Sequence, residues 1–220
     1  VLSVGMAKRG HQVIAVDQTY DSLNFLKSRS IEEGLENIHL VQDDIREIKF
    51  KDIADYAIVN GVLEWIPEKS EVIVNEYYDK KASKINNSIK KNLLKNPRDM
   101  QVEFLKKVHE SLNPGGQLFL AIENKFNYAY LLGRPDPHVN LKFTTFLPRA
   151  ISNIISKIFR KKDYRTYIYS FSELKDLLRE AGFQKIDDYC CFPMYHFPSL
   201  IFPNSKEGIN QYIAYKDKNI

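Results

Sequence analysis

Short runs of apolar and β-branched residues alternate along this chain with amphipathic segments of helical length. HQVIAVD (11–17), IHLVQ (38–42), YAIVNGV (56–62) and PGGQLFLAIEN (114–124) read as buried strands, the last entered through a Pro-Gly-Gly turn. Between them the spacing predicts helices: a first one running to Arg9 and stopped at Gly10, and a second one capped by Thr19. The second carries Leu23, Leu26 and Ile31 on its apolar face and stops at Gly34. A third covers 98–112, with Val102, Leu105, Val108 and Leu112 in line. Further on, Ser170 with Glu173 three residues later forms a capping box ahead of a helix that Gly182 ends. Strands that alternate with helices of this length imply parallel crossover connections and an α/β, doubly wound sheet, in which ligands sit at the carboxyl ends of the strands.

Two stretches interrupt the alternation. Residues 77–97 are rich in Lys and Asn and read as a surface insertion within the core. Residues 127–169 hold many aromatics, the turn formers Gly133, Pro135 and Pro137, and the basic run Arg160, Lys161 and Lys162, and read as a cap over a cleft. The core is then expected in 1–126 and 170–220. The opening VLSVGMAKRG has the pattern of a helix interior, as expected of a chain cut from a longer one.

Composition narrows the class. With 220 residues, 44% hydrophobic and 27% charged, the chain can bury a core, and disorder is excluded. The net charge of +4 favours anionic partners only weakly, and the basic residues belong to no nucleic-acid-binding module. No apolar run reaches the roughly 20 residues of a membrane span. The two cysteines, Cys190 and Cys191, are neighbours, which argues against a structural disulfide and for a reducing, cytoplasmic setting. They lack partners at zinc spacing, so no metal site is expected.

The candidate chemistry sits at strand ends. Asp17 closes the first of these strands, where a carboxylate can accept both hydroxyls of a ribose; capping the next helix is the equal alternative. Asp44 follows the second strand and can accept an exocyclic amine. The third strand ends in NGVLEW, where Asn60 and Gly61 let backbone approach a ligand, with Leu63, Glu64 and Trp65 behind them.

In that order, LSVGMAKRGHQVIAVD, VQDDI, ADYAIVNGVLEWIP and FLKKVHESLNPGGQLFLAIEN resemble the class I S-adenosylmethionine-dependent methyltransferases over residues 2–124. EAGFQKIDDY is similar to that family's last helix and sixth strand, and GINQYIAYK is the candidate for its seventh, antiparallel strand. The resemblance implies a Rossmann-like sheet of seven-stranded type that here lacks its first strand and the glycine-rich loop after it. It further implies S-adenosylmethionine as cofactor: Asp17 on the ribose, Gln18 beside the adenosine, Asp44 on the adenine amine with Ile45 against the ring. Asn60, Gly61 and Leu63 would lie by the methionine part. Residues 122–138, 144–150, 164–183 and 192–203 are similar to bacterial methyltransferases associated with surface-polysaccharide or glycosyl-transfer machinery, which implies a small-molecule, glycan or glycolipid acceptor, methylated at oxygen.

A hydroxyl acceptor needs a base. His138, in GRPDPHVN with Asp136 near enough to orient it, is the first candidate, a surface-loop histidine being the alternative. Glu123 and Asn124, at the end of the fourth strand, point toward the same cleft, Glu123 as a second catalytic candidate and Asn124, with Asp136, as an acceptor contact. Arg149, Arg160 and Arg165 can hold a phosphate or simply face solvent; Arg165 is the one assigned to substrate. His11, His39, His109 and His196 read as structural. Two other classes remain open: a nicotinamide-dependent oxidoreductase, which Asp17 would also suit, and a non-catalytic scaffold that keeps the fold.

Overall fold

The computed structural model describes residues 2–67 and 95–217. The chain divides into two compact units, Val1–Phe50 and Lys51–Ile220. The insertion expected at 77–97 lies outside the described residues up to position 94.

The first unit contains α1 (Leu2–Ala7), β1 (Val13–Asp17), α2 (Tyr20–Glu32) and β2 (Ile38–Gln42). β1 and β2 pair in parallel, from Val13 opposite Ile38 to Asp17 opposite Gln42, so α2 is the crossover helix that parallel pairing requires. Gly10 and Gly34 both adopt positive φ where the helices end, as their positions predict. Asn37 fastens the unit: its side-chain amide donates to the carbonyls of Ala7 at 2.9 Å and His11 at 2.7 Å. Leu23 is buried under α2, but Ile31, expected on the same face, is exposed.

The second unit repeats the arrangement. β3 (Ala54–Asn60) pairs in parallel with β4 (Leu112–Ala121), and α3 (Pro97–Ser111) leads into β4. Asn96 caps α3 by accepting the Arg98 backbone N–H, and Met100, Val102, Phe104 and Leu105 bury its inner face. The register slips between Ala54 and Tyr56, opposite Pro114, Gly115 and Gly116; a Cβ on Gly116 would stand 2.9 Å from the Asn113 carbonyl, so this irregular turn requires glycine. A doubly wound sheet of strand order 3-2-1-4-5 contains two such parallel pairs, and β1–β2 and β3–β4 have their connectivity. The fold is α/β and Rossmann-like.

Beyond β4 come α4 (Tyr128–Leu131), α5 (Arg149–Arg160) and α6 (Phe171–Glu180). The segment carrying α4 and α5 leaves and returns at neighbouring points, because Asn124 bridges to Tyr169 and the Lys125 N–H donates to the Tyr169 carbonyl. Ser170 and Glu173 make the reciprocal bonds of a capping box at the start of α6.

β5 (Tyr189–Phe192) and β6 (Leu200–Pro203) form an antiparallel ladder, followed by α7 (Lys206–Asp217). Here the structure corrects the sequence reading, since GINQYIAYK is helical and not a seventh strand. Its apolar residues Ile209, Tyr212 and Ile213 stand at helical spacing, Ser205 receives the Gly208 and Ile209 N–H groups, and Tyr212 packs on Phe192 and Phe202. Among the described residues there are six strands, in three two-stranded ladders, and no helix long and apolar enough to cross a membrane.

Candidate active site

The parallel register of β3 and β4 sets Asn60 opposite Ala121, and the Gly61 N–H donates to the Ala121 carbonyl at 2.9 Å. Whatever follows either strand therefore emerges at one edge. After β3 the chain bends at Gly61, φ +65°, into a 3-10 turn, Leu63–Trp65. A Cβ on Gly61 would stand 2.7 Å from the Tyr195 hydroxyl, so both the backbone angle and the space demand glycine. The turn carries Glu64, and Glu123 follows β4 by two residues.

Between these carboxylates lies His138, its side chain only 3% exposed. Its Nδ1 is 2.7 Å from Asp136 Oδ1 and 3.9 Å from Glu123 Oε2, while Nε2 is 4.0 Å from Glu64 Oε1. A carboxylate accepts, so Nδ1 carries the proton and Nε2 presents its lone pair. Three tyrosines fix the acids. Tyr164 donates to Asp136 at 3.0 Å, Tyr130 to Glu123 at 2.5 Å, and Tyr195 to Glu64 at 3.4 Å. Trp65 packs against the imidazole, tilted by 56°, at 4.9 Å between ring centroids. The second oxygen of Glu64, Oε2, is buried without a hydrogen-bond partner among the described residues.

Burial alone would lower the pKa of His138, but the hydrogen bond and charge of Asp136, with Glu123 and Glu64 behind it, raise it above the ordinary 6.5. Burial dominates at Glu64 and raises it above 4.5 despite the bonds it accepts and the nearby imidazole. Tyr130, Tyr164 and Tyr195 are pushed upward by burial and by the same carboxylates, so they stay protonated donors. The result is a buried Asp-His pair with a second, harder-to-ionise carboxyl group on its far side.

The sequence-derived residues fall in different places. In the second unit His138, Asp136 and Glu123 come together, with Gly61 at the same strand edge and Asn60 exposed at the end of β3. Leu63 is wholly buried and its carbonyl accepts from Gln101, so it packs the core under the turn. Asn124 accepts the Phe126 N–H and shapes the chain leaving β4. Arg165 is buried; its guanidinium donates to the Pro67 carbonyl at 2.8 Å and the Lys95 carbonyl at 3.3 Å, which is a structural anchoring of backbone on either side of 68–94.

In the first unit Asp17, at the end of β1, accepts the Thr19 N–H through Oδ1 at 2.7 Å, the capping bond weighed against a ribose contact. Thr19 itself makes no side-chain cap. Gln18 beside it is exposed, and its carbonyl accepts from Gln42. Asp44 is held by Arg46, whose guanidinium meets both carboxylate oxygens, and Ile45 is half-buried next to it. Sequence reasoning did not assign Glu64, Tyr130, Tyr164 or Tyr195 to the site. Glu64 alone carried a usable signal, one turn past a strand end.

Residues 2–130, more than half the chain, match a family model described as a methyltransferase domain. The chain belongs to this methyltransferase family. Among solved structures, a S-adenosylmethionine-dependent methyltransferase from Methanosarcina mazei superposes at a TM-score of 0.55 with 12% identity, over 90% of this chain and 82% of that one. A Bacillus halodurans structure, itself assigned only provisionally as a methyltransferase, gives 0.47 at 17% identity over 83% of this chain. This methyltransferase-family chain spans 57% of the Bacillus halodurans protein, little more than half its length. No curated protein matches the sequence. The Methanosarcina likeness shows the fold, and the family match shows the domain type.

Proposed function

We propose that this protein moves a methyl group from S-adenosylmethionine to a hydroxyl of a small-molecule or glycan-like acceptor, with His138 as general base. The observation that carries the reading is the His138–Asp136 pair beyond the carboxyl ends of β3 and β4, with Nε2 left as acceptor. S-adenosylmethionine, when bound, supplies an electrophilic methyl on a positively charged sulfur. Asp17 would hold its ribose, since Oδ1 is used by Thr19 and Oδ2 remains; Gly61, with no side chain, and Asn60 would lie by its methionine part. Asp44, already clasped by Arg46, would support the turn beside the adenine more than bind its amine.

His138 Nε2 would take the proton of the acceptor hydroxyl as the methyl leaves sulfur for that oxygen, and Asp136 holds the imidazole in the tautomer that makes this possible. The resulting imidazolium is stabilised by Asp136, Glu123 and Glu64, all within 4.0 Å. A positioned base of this kind contributes on the order of 100-fold to 10,000-fold, and alignment of the reactants contributes about 7–11 kcal/mol in well-oriented systems. The three carboxylates also favour a second reading, transfer to the nitrogen of a cationic amine acceptor, which loses its proton to the same base.

Calorimetric titration with S-adenosylhomocysteine tests the cofactor. We expect binding, weakened by about 1–3 kcal/mol in Asp17→Ala through loss of charge-assisted hydrogen bonds to the ribose; no binding at all would sink the reading. Methyl-labelled cofactor offered with hydroxyl and amine acceptors in parallel separates the two acceptor classes.

A further inference from the structure

A helix on a protein surface ordinarily turns its apolar stripe inward and its polar residues to water. α5, Arg149–Arg160, does the reverse. Ser152 and Ser156, four apart, face the interior and are fully buried, and the Ser152 hydroxyl donates to the Thr144 carbonyl at 2.7 Å. On the opposite side Ile151, Ile154 and Ile158 are 44%, 58% and 67% exposed, and Phe159, near the end of the helix, is 70% exposed. Ile151, Ile154 and Ile158 stand three and four residues apart, so they form one continuous stripe about two turns long.

The charge around this stripe has one sign. Residues 139–163 hold six basic side chains and a single acid, Asp163, which Lys157 engages at 3.0 Å. Arg149 is turned inward: its guanidinium stacks over Tyr167 and donates to the Ile168 carbonyl. Arg160 is spent on the Asn140 carbonyl. Lys161 and Lys162, exposed directly beyond the helix, remain beside the apolar stripe. Apolar residues on one face of a helix, with lysines flanking them, are the arrangement that sinks into the headgroup boundary of an anionic bilayer.

From the geometry we infer that α5 is an interfacial helix that docks this protein on an anionic lipid surface. Ile151, Ile154 and Ile158 enter the acyl boundary, while Lys161 and Lys162 stay at the level of the lipid phosphates. A second copy of the chain is a poorer fit to the face, because it would bring another cluster of like charge to the contact. The inference is independent of the methyl-transfer reading, since none of these side chains belongs to the His138 cluster.

Co-sedimentation of the full chain with vesicles tests it, using phosphatidylcholine alone and phosphatidylcholine with about one third phosphatidylglycerol. We expect the protein to pellet with the anionic vesicles only, and to bind about tenfold more weakly when salt screens the lysines. Ile154→Asp with Ile158→Asp should abolish pelleting, and Lys161→Glu with Lys162→Glu should remove its salt dependence. The substituted side chains are exposed, so thermal unfolding and S-adenosylhomocysteine binding should match the parent and separate this result from misfolding. Absence of pelleting by the parent, or equal pelleting by the isoleucine variant, would overturn the inference. So would a parent that forms dimers, ignores vesicles and becomes monomeric when the isoleucines are replaced.

Discussion

In the proposed transfer, His138 is the residue on which the chemistry turns. A histidine with three carboxylates within 4.0 Å holds its proton more tightly than one in water, and a general base works only in its unprotonated form. The rate is therefore expected to rise with pH through a value above 6.5, and to fall on the acidic side. His138→Gln preserves much of the shape and none of the basicity; it should lower kcat by about 100-fold to 10,000-fold, flatten the acid limb of the profile and leave S-adenosylhomocysteine affinity near that of the parent. A full pH–rate profile on both proteins checks this, and an unchanged rate removes His138 as base.

Gln101 shows what holds the site's elements in place. From α3 its amide donates to the Leu63 carbonyl at 2.9 Å, in the turn after β3, and to the Tyr167 carbonyl at 3.0 Å, while its oxygen accepts from the Tyr169 hydroxyl. One buried side chain thus ties the turn that carries Glu64 to the return segment before α6. Gln101→Ala should destabilise the fold by about 2–4 kcal/mol, as lost bonds leave buried carbonyls unpaired and a cavity opens; denaturant titration measures it. Elements of this kind were legible where one periodicity ruled, as in α3 and in α6 with its Ser170 cap. α7 was not, because Ile209, Tyr212, Ile213 and Tyr215 are strand-favouring residues at helical spacing, and only their packing on Phe192 and Phe202 decides between the two. Asp17 illustrates a different limit: position at a strand end predicted two roles, and the Thr19 bond uses just one oxygen.

At the scale of the molecule, the α/β alternation and the family were readable from motif order, and so was His138 with Asp136, two residues apart. The rest of the cluster was not. Tyr164 reaches Asp136 across 28 positions and Tyr195 reaches Glu64 across 131, distances along the chain that only the completed fold closes. Arg165 was assigned to substrate for the same reason, since the carbonyls it binds belong to Pro67 and Lys95, far away in sequence. Trp65 is the single tryptophan of the chain, and it lies against His138. An imidazolium draws charge from an excited indole far more readily than a neutral imidazole does, so the protein carries its own optical indicator of the base. Its emission should brighten as pH rises through the value for His138 and lose that response in His138→Gln, whereas a flat titration in the parent would mean that the ring above the base does not sense its proton. Spectroscopy alone could then follow the protonation of His138, with no acceptor in hand.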